Sequence, residues 1–128
     1  MQSLSFNILP STDFSSLLDK ITHFARQIKC NEDDIASIAT ISSEIAYNIA
    51  KYGTKGNLKL SLQNNTVTIF GTDNGGGIKS GMKRAFTDGF SQSNSLGLGL
   101  GSIVRLSDDV EIDNSSRGLT ITVLKYLS

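Results

Sequence analysis

A stripe of isoleucines in the first half of the chain is the feature that most constrains its fold. Isoleucine recurs at the spacing of one helix face, at positions 35, 38, 41, 45 and 49. Because successive helical residues are turned by about 100°, these positions fall within an arc of roughly 120°. Asn31 is a candidate N-cap, and acidic residues follow it in the first turn, where the helix dipole favours negative charge. We therefore predict a long amphipathic helix from Asn31 to about Gly53, one face of which must pack against a second layer.

The other periodic segments predict that second layer. Alternation of apolar and polar residues predicts five strands, over residues 2–9, 57–62, 66–70, 110–113 and 119–126, with a turn at Asn64–Asn65. Helical spacing predicts three further helices: one from Phe14 after N-cap candidates at 11–13, a short one over 80–90, and one within 96–106. The order β-α-α-β-β-α-loop-α-β-β predicts an α+β fold, an α/β sandwich whose antiparallel or mixed sheet carries its helices on one face.

Length and charge narrow the class of protein. A chain of 128 residues fits one domain, 1–128, with a real core. Basic and acidic residues are equal at 12 each, so the chain has no electrostatic footprint for nucleic acid or an anionic membrane. No run approaches the roughly 20 apolar residues that span a bilayer, and no signal peptide is apparent. The single cysteine, Cys30, is expected to pack rather than react, and a reducing, cytoplasmic location is predicted.

Glycine is concentrated in the middle of the chain, where nine of the 12 glycines lie between Gly71 and Gly101. Glycine is used where the backbone turns with positive φ or approaches a ligand closely. We therefore expect this segment to contribute to a ligand site, together with the long helix that precedes it.

The first candidate motif is on that helix and consists of Glu44, Asn48 and Lys51. The spacing places the three side chains on one helix face, within about 60° of each other. A carboxylate can accept a proton, an amide oxygen suits Mg²⁺, and an ammonium group suits phosphate oxygens. The alternative interpretation is a solvated helix face with a polar i,i+4 pair.

The second candidate motif, Asp73-Asn-Gly75-Gly-Gly77, follows a predicted strand and leads into Ile78. A loop carboxylate can accept a hydrogen bond from an exocyclic amine such as that of adenine, and Gly75 and Gly77 allow the backbone to lie against a flat ring. The alternative interpretation is a surface turn.

The third candidate motif precedes the predicted helix within 96–106 and reads Gly97-Leu98-Gly99-Leu100-Gly101-Ser102. Glycines before a helix expose backbone N–H groups, and a helix N-terminus favours anions. The pattern is neither a Walker motif nor a Rossmann fingerprint. A glycine-rich hinge is the alternative interpretation.

Taken in order, the three motifs resemble the N, G1 and G2 boxes of the GHKL superfamily, which includes gyrase-type ATPases, heat-shock chaperones, histidine kinases and anti-sigma-factor serine kinases. Residues 90–95 lie where that superfamily has its ATP lid. The chain is expected to lack a dimerisation helix with a phosphoacceptor histidine, and its size is similar to that of the small anti-sigma-factor-type kinases. Residues 43–49, 55–56, 88–91 and 125–127 are similar to the RsbT-like switch kinases of the stressosome, and residues 108–113 to the SpoIIAB-type kinases.

This resemblance implies a Bergerat ATP-binding fold that uses ATP with Mg²⁺. By resemblance, Asn48 holds magnesium, Asp73 reads adenine, the backbone of residues 97–102 binds phosphate, and Glu44 orients or deprotonates an acceptor hydroxyl. The superfamily often has a Gly-Thr pair near adenine in its last strand region, and Thr120 is the candidate here.

The lid segment has no arginine that could reach the γ-phosphate. The candidate cations that could contact the γ-phosphate in its place are Lys51, Lys83 and Arg84.

The resemblance further implies a serine/threonine protein kinase that phosphorylates a STAS-domain antagonist in a partner-switching pathway. A STAS scaffold of the stressosome and a PP2C-type phosphatase are the additional partners it implies. Three alternatives stay open: an anti-sigma factor that binds a sigma factor directly, a non-catalytic nucleotide-binding partner switch, and a detached histidine-kinase catalytic domain.

Overall fold

The computed structural model describes residues 2–52, 55–73, 100–115 and 118–128. The helices are α1 (Phe14–Gln27), α2 (Glu32–Tyr52) and α3 (Leu100–Leu106). The strands are β1 (Gln2–Ile8), β2 (Gly56–Gln63), β3 (Thr66–Asp73), β4 (Asp109–Ser115) and β5 (Gly118–Tyr126). The short helix predicted over 80–90 lies outside the described residues. Within the described ranges, no helix combines the length and the apolar character needed to cross a bilayer.

The five strands form one sheet in the order β1-β2-β3-β5-β4. Each of the four neighbouring pairs among these strands is antiparallel, so the described sheet is antiparallel rather than mixed. The tight turn between β2 and β3 lies at Asn64 and Asn65, which have φ angles of 53° and 60°. Positive φ at both central residues is what a type I′ hairpin requires, and asparagine tolerates it. The predicted α+β class and the hairpin turn are therefore confirmed.

Side-chain caps explain where the first two helices begin. Of the candidates at 11–13, Asp13 caps α1, since its Oδ1 accepts from the backbone N–H groups of Ser15 (3.1 Å) and Ser16 (3.2 Å). Asn31 caps α2 through a 2.7 Å bond from the N–H of Asp34 to its Oδ1. Each cap satisfies N–H groups that have no partner inside the helix.

The core lies between the helices and one face of the sheet. All five isoleucines of the α2 stripe are buried, which confirms the predicted helix face. They pack with the buried apolar residues of the sheet, which include Leu58, Leu60, Val67, Ile69, Ile121 and Val123. Cys30 is half-buried and packs against this core. Burial is the main cause that raises the pKa of its thiol, and the negative charge of the nearby Asp34 carboxylate is the second.

Two glycines allow α2 to approach the sheet closely. A Cβ atom at Gly71 of β3 would clash with Cγ2 of Ile45 and would lie 3.3 Å from Cγ2 of Ile121. A Cβ atom at Gly56 of β2 would clash with the carbonyl oxygen of Thr72 and would lie 2.8 Å from Cγ2 of Ile49. The second half of α2 therefore lies directly on the end of β2 and β3 that leads into the glycine-rich segment.

Candidate functional site

The three polar side chains of the first motif on α2 differ in how far they are exposed to solvent. Asn48 is 1% exposed, Glu44 is half-buried and Lys51 is exposed. A purely solvated helix face would expose all three side chains, so burial excludes that alternative for Asn48. Ile45 and Ile49, which lie about 60° and 100° from Asn48 on the same side of the helical wheel, are fully buried. Asn48 therefore lies where the apolar stripe meets the polar face.

Asp73 is the last residue of β3 and is also 1% exposed. The prediction that it lies in a loop after the strand is wrong, because Asp73 still pairs with Gly56 across the ladder. Burial alternates along β3, which places Asp73 on the core face with Gly71. Ile49 packs at Gly56. Asn48 directly precedes Ile49 on α2. It therefore lies at the same end of the sheet as Asp73.

Two buried oxygen atoms at this end of the sheet fit an adenine nucleotide with magnesium. Oδ1 of Asn48 and Oδ2 of Asp73 are buried, and each residue has interactions within the folded chain. Both atoms are hydrogen-bond acceptors. An adenine amine can donate to a carboxylate, and an amide oxygen suits Mg²⁺ or its waters.

A magnesium ion at this place would depend on ligands besides the protein. Among the described residues, no group of three or more His, Cys, Asp or Glu side chains is placed to hold a metal ion. Mg²⁺ commonly keeps several waters and is held by one or two protein ligands together with substrate phosphates. A single amide ligand such as Asn48 is consistent with that mode of binding.

The carboxyl group of Glu44 has an environment that suits proton transfer. Partial burial raises its pKa above the ordinary value of 4.5. A general base is most effective when its pKa approaches the working pH, and burial moves Glu44 in that direction. Because Glu44 is only half-buried, an acceptor group can reach it from solvent.

Two aromatic residues near the candidate site were not singled out from the sequence: Tyr47, three residues after Glu44 on α2, and Phe14 of α1, which contacts Tyr47. Tyr47 is 47% exposed, and its ring lies 6.0 Å from the ring of Phe14 on α1, tilted by 60°. Nζ of Lys51 lies 5.6 Å from the centroid of the Tyr47 ring, within cation–π range. The i,i+4 spacing of Tyr47 and Lys51 could have indicated this contact, whereas the partner from α1 depends on how the two helices pack.

Thr120 lies on the other face of the sheet from Asp73. It pairs with Thr72 of β3, and the two hydroxyl oxygens are 3.3 Å apart. Directly opposed residues share a face and consecutive residues alternate, so Thr72 and Thr120 point away from the core. The expectation that Thr120 lies beside Asp73 on the candidate site is therefore wrong, because the two side chains are on opposite faces of the sheet. The register instead places Leu119, which is fully buried, on the face that carries Asp73.

The chain matches a known protein family over most of its length. The family model for the histidine kinase-like ATPase domain matches residues 10–125. The serine/threonine-protein kinase RsbT of Bacillus subtilis is 32% identical over 108 residues, which covers 80% of each chain. The chain belongs to the histidine kinase-like ATPase family.

A solved structure carries the same fold as this histidine kinase-like ATPase domain. The RsbU and RsbW domains of a Mycobacterium tuberculosis protein match it with a TM-score of 0.72 over 99% of this chain, at 18% identity. The present chain spans 33% of the length of that solved chain. At this identity the likeness shows the fold alone.

In this histidine kinase-like ATPase domain, α3 begins inside the third motif. Leu100, Gly101 and Ser102 form the first turn of α3 rather than a loop before it. Oγ of Ser102 lies 3.2 Å from Nη2 of Arg105, and Ile103 is buried in the core beside α2. The remaining predicted contacts lie outside the described residues: Gly75, Gly77, Ile78, Gly97, Leu98 and Gly99, with the candidate cations Lys83 and Arg84.

Proposed function

We propose that this histidine kinase-like ATPase domain, 1–128, is a serine/threonine protein kinase that uses ATP with Mg²⁺ and phosphorylates a STAS-domain antagonist. The observation that carries the proposal is the position of Glu44 on α2, one turn from the buried Asn48 and still open to solvent. A nucleotide held on the buried side and an acceptor that arrives from solvent would meet at this carboxylate. The similarity to the kinase RsbT supports the same reaction class.

Each residue of the site has a part in this reaction. Asp73 would accept a hydrogen bond from the adenine amine, and the amide oxygen of Asn48 would hold magnesium. Backbone N–H groups of residues 97–102 and the Lys51 ammonium group would bind the phosphates. Glu44 orients the acceptor hydroxyl and accepts its proton. ATP with magnesium, when bound, would supply the phosphoryl group and neutralise its charge, and the protein would contribute mainly positioning.

The proposal extends to partners and location. The kinase works in the cytoplasm in a partner-switching pathway, where a STAS scaffold of the stressosome and a PP2C-type phosphatase bind it in alternative states. Neither nucleic acid nor a membrane is among the proposed partners, in keeping with the balanced charge of the chain.

A phosphotransfer assay tests the proposed reaction. The purified chain is incubated with γ-labelled ATP, Mg²⁺ and each purified STAS-domain protein encoded in the same genome. We expect label on one of these proteins that is stable in acid and removed by alkali, as phosphoserine and phosphothreonine are. An acid-labile product would instead indicate transfer to histidine. Nucleotide binding with no transfer to any of them would favour a non-catalytic partner switch.

A further inference from the structure

An apolar patch bridges α1 and α2 immediately beside the candidate site. Leu18 of α1 is 41% exposed and Tyr47 of α2 is 47% exposed. Phe14, four residues before Leu18 on the same helix, is half-buried and contacts the Tyr47 ring. Residues four apart on a helix are surface neighbours. Phe14, Leu18 and Tyr47 therefore form one continuous apolar surface, called the docking patch below.

The docking patch and the buried amide lie on opposite sides of Glu44. With about 100° per residue, Asn48 is turned about 40° to one side of Glu44 and Tyr47 about 60° to the other. Asn48 is 1% exposed, whereas Tyr47 is 47% exposed. The half-buried carboxylate of Glu44 thus stands between the closed side of α2 and its open, apolar side.

Two neighbours lie against the exposed ring of the docking patch. The Tyr47 ring is 6.0 Å from the Phe14 ring, and the Lys51 ammonium group lies 5.6 Å from its centroid in the chain without nucleotide. Aromatic side chains with restricted rotamers lose little entropy on binding, and such residues dominate the binding energy of many protein interfaces. An exposed aromatic residue beside an aliphatic one is well suited to anchor a protein.

We propose that Phe14, Leu18 and Tyr47 form the surface on which the acceptor protein docks, with its apolar surface against Tyr47 and Leu18 and its hydroxyl at Glu44. This inference rests on the proposed kinase function. The acceptor must approach Glu44 from the exposed side of α2, because the other side is closed by the core. A protein surface that reaches Glu44 from this side also covers Tyr47, since Cβ atoms three residues apart on a helix are separated by only about 5–6 Å.

The test separates docking from nucleotide binding. The probe is the STAS-domain protein, and its Kd is measured with the full chain in the presence of a non-hydrolysable ATP analogue. The test variants are Leu18→Lys and Tyr47→Ala. Tyr47→Phe is the conservative variant, because it retains the aromatic ring. The controls are Tyr126→Lys and Tyr126→Ala, because Tyr126 is 54% exposed and lies at the opposite end of β5 from Thr120.

The docking patch predicts a selective loss of affinity for the acceptor protein. We expect Leu18→Lys and Tyr47→Ala to raise the acceptor Kd by roughly 10-fold or more, the effect of losing an anchor worth about 1.4 kcal/mol. Tyr47→Phe and both Tyr126 variants should bind as the unaltered chain does. For Leu18→Lys, affinity for the ATP analogue, the melting temperature and kcat at saturating acceptor should not change.

Four results would overturn the docking patch. The first is an unchanged acceptor Kd in Leu18→Lys and Tyr47→Ala, and the second is an equal loss of acceptor affinity in the Tyr126 controls. The third is a loss of affinity for the ATP analogue in Leu18→Lys that matches its loss of acceptor affinity. The fourth is that none of the STAS-domain proteins binds the unaltered chain. Binding without phosphotransfer has a different meaning. It would remove the kinase function, while the Kd values of the variants would still decide whether the patch holds the partner.

Discussion

At the scale of single residues, burial distinguishes three polar side chains that look alike in the sequence. Asn48 and Asp73 are almost fully buried, whereas Glu44 is half-exposed. Buried oxygen atoms are suited to hold a ligand in one place, because burial keeps water from competing for their hydrogen bonds. A half-exposed carboxylate is suited to exchange a proton with an incoming group. The candidate site therefore combines two buried side chains with one half-exposed carboxylate, within about one turn of α2 and one strand end.

Replacing Glu44 should separate catalysis from binding. We expect Glu44→Gln to keep its affinity for an ATP analogue and to lose roughly 10²-fold or more in the rate of phosphotransfer, the usual worth of a general base. Glu111→Gln, at an exposed position of β4, is the matched control and should transfer at the normal rate. Full activity in Glu44→Gln would remove this carboxylate from the mechanism.

The raised pKa of Glu44 also predicts a dependence of stability on pH. The folded protein binds more protons than the unfolded chain between pH 4.5, the ordinary value, and the higher pKa of the folded state. The contribution of Glu44 to the free energy of unfolding is thus complete below that window and is lost as pH rises through the folded pKa. Glutamine has no such loss, so Glu44→Gln should gain stability relative to the unaltered chain as the pH is raised from about 4 to about 7.

Urea unfolding of both proteins across this pH range measures the difference. The quantity compared is the free energy of unfolding of Glu44→Gln minus that of the unaltered chain. If this difference stays constant or falls as the pH rises, burial of the Glu44 carboxylate has no cost in the folded state.

At the scale of elements, α2 supports the site through its contact with β2 and β3. Its isoleucine stripe is buried along the whole helix, and the second half of the stripe lies on two glycines of the sheet. Side chains on a packed helix are held more precisely than those on loops. The close approach at Gly71 therefore sets the height of Asn48 above the sheet end where Asp73 lies.

Adding a single methyl group at Gly71 should disturb this contact. The new Cβ would clash with Cγ2 of Ile45, and overpacking of this kind costs about 1–3 kcal/mol of unfolding free energy. We expect Gly71→Ala to lower the melting temperature and to weaken binding of an ATP analogue, because α2 must shift. Thr68→Val, on the same strand but on the face away from α2, is the control and should do neither.

A double-mutant cycle with Ile45→Ala identifies the cause. If the clash with Ile45 is responsible, the double variant Gly71→Ala/Ile45→Ala should be more stable than the sum of the two single losses by at least about 0.5 kcal/mol. Additive losses would place the effect of the methyl group elsewhere.

At the scale of the whole molecule, the helices cover one face of an antiparallel sheet and the site lies at one end of that sandwich. Asn48 comes from the helix layer, and Asp73 comes from the sheet layer. A ligand that contacts both residues joins the two layers. Binding should therefore stabilise the folded protein as a unit, because the unfolded chain does not bring the two residues together.

Thermal unfolding with and without nucleotide tests this coupling. We expect ATP with Mg²⁺ at 100 times its Kd to add about 2.7 kcal/mol to the free energy of unfolding and to raise the melting temperature accordingly. Asp73→Asn should abolish most of the increase. The control Asp109→Asn alters an exposed carboxylate on β4 and should retain it. An equal increase in both variants would show that the nucleotide binds without Asp73.

The sequence by itself determined the elements and the chemistry of the motifs. The isoleucine spacing defined α2 and its buried face, Asn31 and Asn64–Asn65 marked a helix start and a hairpin, and the spacing of Glu44 and Asn48 placed them on one helix face. These features depend on local geometry, in which a period of 3.6 or 2 and a preference for positive φ are properties of neighbouring residues.

Only the tertiary structure decided burial, register and contacts between distant segments. It placed Asp73 at a buried strand end instead of in a loop, turned Thr120 to the far face of the sheet, and brought Phe14 of α1 onto Tyr47 of α2. A shift of one residue in register exchanges the two faces of a strand, and no local pattern specifies which strand will be the partner. The exposure of each site residue, and with it the part it can take in a reaction, depends on that choice of partner.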